Sequence, residues 1–498
     1  MDLEMLCGKR ITRNKKSHLF ADFELKGGFC VQENKDEEGN AMTKKLQKND
    51  QVVSRTTNQI TEGIIWKQLL LFFFPIVFGT FFQQLYNAID TVIVGQFVGK
   101  AALASVGGSA TQIINLVVGF FTGLSSGAAV VIAQFFGAED ERSMGESLHT
   151  AYAFSVIGSV VISVIGFVCS PALLKLMNTP TELLADSTLY LQIYFAGILF
   201  VFIFNIGSSI LRAVGDSKHP LYYLIACCFI NIILDLLLVI VFHMGVAGVA
   251  YATLISQAVS AILVTWKLMR STGILTLRLR EIRLYKNVLK YQLAIGLPTG
   301  FQSVMYSISN VIIQAALNSF GTDTVAAWSA YGKLDALFWM VISAIGIAIT
   351  TFVGQNYGAR KYERVKKSVR VCLGMAILVS IVMVVFLMGL RVPLFRLFTR
   401  DASVVRIGSE MLALITPCYV VYVFIEVLSG ALRGMGDVLI PTVITLGGVC
   451  ILRLLWIAGA LHFSPTIEVI IYSYPVTWIV TAAAFIIYYL YKKKRILK

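Results

Sequence analysis

Charge is scarce in this chain. Only 14% of its 498 residues are Asp, Glu, Lys or Arg, against about 25% in an ordinary soluble domain. A chain of this size with so little charge cannot clothe a water-facing surface. Its eight cysteines, Cys7, Cys30, Cys169, Cys227, Cys228, Cys372, Cys418 and Cys450, include no C-x-x-C. That excludes a zinc pattern or a disulfide framework, and most of them read as small buried hydrophobes. The five histidines form no H-E-x-x-H, so a metalloprotease helix is excluded too. The alternation over about 10 residues that marks a membrane barrel strand is also missing, and the N-terminus lacks the charged-then-apolar build of a signal peptide.

What the chain has is apolar sequence. Hydrophobic residues make up 57%, and the mean hydropathy is +0.76. Runs of about 20 apolar residues recur, each long enough to cross the hydrocarbon layer. Twelve spans are expected, near 66–98, 105–133, 148–170, 186–210, 220–242, 246–268, 287–317, 324–353, 369–390, 404–428, 439–461 and 467–491. The fold class is therefore all-α integral membrane. Residues 1–62 are polar and aperiodic and read as a disordered tail.

The net charge of +14 would suggest nucleic acid, but the charges are placed otherwise. Lys267, Arg270, Arg278, Arg280, Arg283, Lys286 and Lys290 lie between spans six and seven. Arg360, Lys361, Arg364, Lys366, Lys367 and Arg370 lie between spans eight and nine, and Lys492, Lys493, Lys494, Arg495 and Lys498 close the chain. With twelve spans all of these share one face, which predicts a multi-pass protein of the cell membrane with both termini cytoplasmic. Arg391, Arg396 and Arg400, before span ten, depart from the pattern. No nucleic-acid partner is expected; membrane lipid is.

The chain repeats itself. Over the thirteen positions from 208, Ser208, Leu211, Arg212, Gly215, Asp216 and Pro220 recur 221 residues later as Ser429, Leu432, Arg433, Gly436, Asp437 and Pro441. The same shift pairs Gln134, Gly137 and Ala138 with Gln355, Gly358 and Ala359. A shift of 223 pairs Pro75 with Pro298 and Ala104 with Ala327. Chance gives roughly one identity in thirteen. The expected architecture is two pseudo-symmetric six-helix lobes: an N-lobe over 63–270, a loop over 271–285, a C-lobe over 286–492 and a basic tail over 493–498. A repeat of this kind in a membrane protein points to a transporter with its path between the lobes. The L-R-x-x-G-D and Q-x-x-G-A motifs themselves read as inter-span turns: Gly for the reversal, Asp for a helix cap.

Polar side chains inside the spans each cost about 2.5–3.5 kcal/mol on insertion scales. In span one, Gln83, Asn87 and Asp90 follow Pro75, the expected hinge, and share one face. In span five Asn231 and Asp235 share a face, as do Thr253 and Gln257 in span six; span four adds Asn205 and Ser208. Two carboxylates with amide and hydroxyl oxygens form a ligand set for a hard cation such as Na⁺; the same pair could carry a proton instead. The 221 shift puts Trp456 opposite Asp235 and Tyr474 opposite Thr253, so the second half has no equivalent site. It has Glu426 and Arg453, readable as an ion pair or as a coupling or substrate site, and Asp335.

The chain resembles the multidrug and toxic compound extrusion (MATE) family over about 63–490. The resemblance rests on F-P-I-V-F-G-T-F-F-Q-Q-L-Y-N-A-I-D-T-V-I-V-G at 74–95, A-L-A-S-V-G at 102–107, Q-F-F-G-A at 134–138 and L-R-A-V-G-D at 211–216. Their partners are G-L-P at 296–298, V-G-Q-N-Y-G-A at 353–359 and L-R-G-M-G-D at 432–437. It implies a twelve-helix exporter of drugs or metabolites, often cationic, driven by Na⁺ or H⁺ through alternating access, working as a monomer without a cofactor and not an enzyme. It places a cation site on Asp90, Asn231, Asp235, Thr253 and Asn205, with Ser208 competing for the last position. The acid that some members carry on span seven is absent, a role Glu426 could partly replace. Met305, Tyr306, Phe338, Trp339 and Tyr422 are candidate substrate contacts. A flippase for lipid-linked precursors is the alternative, and would call for several basic residues in the cleft.

Overall fold

A computed structural model describes residues 60–271, 275–464 and 466–496. Most of the expected polar tail and the last two residues of the basic tail lie outside the described residues. Every regular element among them is helical. In chain order these are α1 (Ile65–Val98), α2 (Lys100–Gly137), α3 (Glu141–Leu176), α4 (Thr181–Ala196), α5 (Ile198–Ala213), α6 (Lys218–Val241), α7 (Gly245–Arg270), α8 (Lys286–Asn318), α9 (Thr322–Gly358), α10 (Tyr362–Gly389), the short α11 (Arg391–Arg396), α12 (Ala402–Gly434), α13 (Leu439–Ala460) and α14 (Ile467–Ile496).

Ten of these are long and apolar enough to cross a membrane, and α4 with α5, bent by 48°, would make an eleventh. The expected seventh span is α8. It is 33 residues long, but Gln292, Gln302, Asn310 and Gln314 keep it less apolar than the others. The expected second span runs further than its apolar core suggests, because Lys100–Ser105 continues it through a wide turn at Val106–Ala110, where Gly108 leaves helical geometry. Pro75 sits inside an unbroken helix in α1; the departure from α geometry in that span comes at its far end, in a π-helical turn over Val94–Val98.

The turn motifs do much of what their residues predict. Gly215 and Gly436 have φ of +97° and +84°, a left-handed conformation that glycine adopts at no steric cost. Asp216 caps α6 by accepting from the Lys218 and His219 amides at 3.2 and 3.1 Å. Its repeat partner Asp437 instead holds the end of α14, accepting from the Tyr488 hydroxyl at 2.6 Å and pairing with Lys492 at 2.9 Å.

The two halves of the sequence meet along α2 and α8. Gly123 and Gly127 of α2 face Gly300 and Gly296 of α8, and a Cβ at any of these four would fall on the opposing backbone. These are two G-x-x-x-G seams in contact, which lets the helices approach as closely as backbones allow. Further along, two bonds related by the repeat cross between the halves. Gln134 Nε2 donates to the Gly434 carbonyl at 2.8 Å, and Gln355 Nε2 donates to the Ala213 carbonyl at 2.6 Å. Ala213 precedes Gly434 by the same 221 residues that separate the glutamines. Gly137 and Gly358 lie on the partner glutamine's carbonyl, where no Cβ would fit.

The segments leading into the first helix of each half are also held crosswise. Before α1, the carbonyls of Ile60, Glu62 and Gly63 accept from the Arg364 guanidinium at 3.1, 2.6 and 2.9 Å, while Asn356 and Lys361 bond Ile60 and Thr61. Before α8, the Arg278 and Tyr285 amides donate to His149 and Thr150 of α3 at 3.1 and 3.2 Å. All of these contacts lie at the end of the molecule that carries the basic loops.

Candidate functional site

In the N-terminal half, α6 packs between α1 and α7, and α7 also packs against α5. This brings together the four helices that carry the expected cation-site residues. Asn231 and Asp235 are fully buried, and Thr253 is 9% exposed. Asp90 is part-buried, with its carboxyl against that of Asp235. Although the two carboxyls adjoin, Asp90 Oδ1 and both Oδ atoms of Asp235 have no hydrogen-bond partner. Neither do Asn231 Oδ1 and Nδ2, Thr253 Oγ1 or Ser208 Oγ. Buried polar atoms are rarely left without a partner, and an apolar wall makes each such omission expensive.

The two fourth-span candidates use their polar groups differently. Asn205 Nδ2 donates to the Val201 carbonyl of its own helix at 2.8 Å. Ser208 is 1% exposed and its hydroxyl is unpartnered. Gln83 and Asn87, on the same face as Asp90 by spacing, are exposed. Sequence reasoning missed three phenols here: Tyr86, one turn before Asp90, Tyr190 of α4, which lies near both acids, and Tyr194 of α4, which lies near Tyr86 and Tyr190. Tyr86 had a signal, its i−4 spacing from Asp90; the other two come from a helix that carries neither of these two acids.

Every unpartnered acceptor here is oxygen, and the set holds two carboxylates, an amide and two hydroxyls. That composition fits a hard cation such as Na⁺. Among the described residues no cluster of three or more His, Cys, Asp or Glu exists to hold a transition metal.

The C-terminal half is built differently. Glu426 and Arg453 form no ion pair. The Glu426 carboxyl lies on α9 at Gly346, where a Cβ would collide with it. Arg453 is 4% exposed; its guanidinium sits 4.0 Å above the Tyr474 ring and donates to Thr477 Oγ1 at 3.3 Å. Tyr474 is the repeat partner of Thr253, so a guanidinium fixed to the chain occupies the region that, in the first half, is lined with unpartnered oxygens. Asp335 accepts from Tyr419, from Trp339 Nε1 at 2.7 Å and from Tyr331 at 3.3 Å, and is fully engaged. Of the candidate substrate contacts, Phe338 and Tyr422 are core, 1% and 3% exposed, with Phe338 stacked on Tyr419 at 3.8 Å. Met305, Tyr306 and Trp339 are part-buried.

Comparison with known proteins agrees with this architecture. The MatE family model matches residues 75–237 and again 298–457, and the two starts differ by the offset of 223 read from the sequence. The probable multidrug resistance protein YpnP of Bacillus subtilis is 29% identical over 79% of this chain and 88% of its own length. YoeA of the same organism, also described as a probable multidrug resistance protein, is 27% identical over 78% and 86%. A solved structure described as the outward-facing conformation of a multidrug resistance MATE family transporter of the MOP superfamily superposes with a TM-score of 0.82 at 22% identity, covering 88% of this chain and 98% of that one. A MOP superfamily transporter from Pyrococcus furiosus, whose binding pocket is described as reversed in polarity, superposes at 0.83 with 21% identity, covering 89% and 99%. Doubled in sequence, helical throughout its described residues and rich in membrane-length helices, the chain belongs to the MatE family of efflux transporters.

Proposed function

We propose that this protein exports drugs or other small organic compounds, many of them cationic, in exchange for Na⁺ or H⁺, and that the Asp90–Asp235 cluster is where the driving ion binds. The observation that carries the reading is the run of unpartnered buried oxygens on Asp90, Asn231, Asp235, Thr253 and Ser208. Two adjoining carboxylates in an apolar wall need a compensating positive charge, and an incoming ion or proton supplies it. The relatives named for multidrug resistance support the export reading.

In this reading α8 counts as a span despite its polar residues, α4 and α5 count as one, and the twelve spans form two lobes of six. The glutamine bonds and the glycine seam close the basic, cytoplasmic end, so the path opens on the opposite face. Asp90 and Asp235 draw together when their charge is neutralised. α1 then reshapes between Pro75 and its π-helical end, narrows the wall and displaces substrate. Rocking of the lobes exposes the path alternately. The flippase alternative has no observation in its favour: Arg453, the mid-span cation it would use, is engaged with Tyr474 and Thr477.

The test is efflux of a fluorescent organic cation from proteoliposomes under an imposed Na⁺ gradient and, separately, a pH gradient. Wild type is expected to respond to one of them, and Asp235→Asn to fall to the rate of protein-free vesicles. Full gradient-driven efflux by Asp235→Asn would refute the assignment of the ion site.

A further inference from the structure

The three arginines that break the charge pattern have a structural setting of their own. α10 starts at Tyr362, beside the Arg360–Arg370 cluster, and is 28 residues long, about 42 Å at 1.5 Å per residue. The short α11 that follows it therefore lies at the opposite membrane face. Phe395 anchors α11: it is fully buried and its ring rests on Gly408 of α12, where any Cβ would collide with it. The next turn is fixed by Asp401, which caps α12 by accepting from the Ser403 and Val404 amides at 2.8 and 3.2 Å.

On this frame Arg391, Arg396, Arg400 and Arg406 line one crevice of about 440 Å³, with Glu410 as the only acid in its wall. Arg406 pairs with Glu410 at 3.5 Å. Among the described residues, Arg391, Arg396 and Arg400 have no carboxylate at ion-pair distance. The residues that adjoin these arginines in the chain are apolar and uncovered: Leu390, Leu397 and Phe398 are 41%, 79% and 50% exposed. An element with exposed apolar side chains beside unpaired arginines matches the boundary between acyl chains and headgroups.

We propose that this crevice binds the phosphate of an anionic phospholipid headgroup. Guanidinium groups hold phosphate oxygens in paired, charge-assisted hydrogen bonds, and three cations without an acid leave the crevice with charge to be matched. Leu390, Leu397 and Phe398 favour a lipid over a soluble phosphate, because they would pack on the acyl chains that carry the headgroup. Basic pockets beside membrane helices take anionic lipids for the same reasons. The inference does not depend on the transport reading.

The experiment uses the full chain in detergent, titrated with dioctanoyl phosphatidylglycerol, dioctanoyl phosphatidylcholine or glycerol 3-phosphate, with bound mass read by native mass spectrometry. Wild type is expected to prefer the anionic lipid to the zwitterionic one, and Arg396→Gln/Arg400→Gln to lose about twenty-fivefold in affinity for it, at about fivefold per cation near an anionic phosphate. Equal binding of both lipids, or a preference that survives the double substitution, would overturn the site. Glycerol 3-phosphate binding as tightly as the lipid would overturn the lipid assignment and leave a soluble phosphate ligand. A photoactivatable phosphatidylglycerol on the unaltered protein gives a readout that needs no variant: labelling within 390–410 supports the proposal, and labelling confined to other segments counts against it.

Discussion

Ser208 and Asn205 sit three residues apart on α5 and use their polar groups differently. Asn205 turns its amide back on its own helix, while Ser208 is buried with nothing to bond. Ser208→Ala is therefore expected to weaken binding of the driving ion by about tenfold, the equivalent of 1.4 kcal/mol, and Asn205→Ala by less than half as much on the same energy scale. Ion titration monitored by the intrinsic fluorescence of the purified protein would separate them, and the reverse order would return the site to Asn205. The acids and Asn231 were legible in the sequence because a carboxylate or amide in a run such as C-C-F-I-N-I-I-L-D-L-L-L stands out against its neighbours. The choice between Asn205 and Ser208 was not legible, since it depends on a side-chain bond within the helix. Nor was the separation of Glu426 from Arg453: spacing put them in adjacent spans, and only packing shows the guanidinium turned onto Tyr474.

Helix length was readable from apolar runs, but the breaks inside the helices were not. Both acids of the proposed ion site stand just before wide turns: Asp90 before Val94–Val98, and Asp235 before Leu236–Val241. Such turns interrupt the regular bond ladder and often mark functional sites; no residue pattern in V-G-Q-F-V or L-L-L-V-I-V announces them. The glycine seam was present in the sequence as G-x-x-x-G in both α2 and α8, yet only the fold shows that the two motifs oppose each other. Gly296→Val is expected to destabilise the protein by about 1–3 kcal/mol through overpacking. Gly374→Val in α10, where a Cβ meets nothing within 4 Å, should stay within about 0.5 kcal/mol of wild type. Thermal unfolding of both in one detergent would check this, and equal losses would show that the seam is not tightly packed.

The duplication, visible as a 221-residue shift, predicted two related halves but not how they are fastened. Gln134 and Gln355 bond across to Gly434 and Ala213, so the repeat makes each half both donor and acceptor for the other. Each such bond is worth about 1 kcal/mol net. Gln134→Ala/Gln355→Ala is therefore expected to shift the balance of conformers toward opening at the basic end by roughly thirtyfold. Spin labels on the turns after α2 and α12 would report it as a longer distance in the variant. An unchanged distance distribution would show that the two glutamine bonds do not hold that end closed.

The crosswise holding of the segment before α1 bears on synthesis. The carbonyls of Ile60 and Thr61 are partnered by side chains 296 to 304 residues further along the chain. At about 5–20 residues per second, a ribosome needs roughly 15–60 s to deliver Asn356 and Lys361 after Thr61 has emerged. During that interval the segment before α1 lacks Asn356, Lys361 and Arg364, the side chains from the second half that hold it in the finished fold.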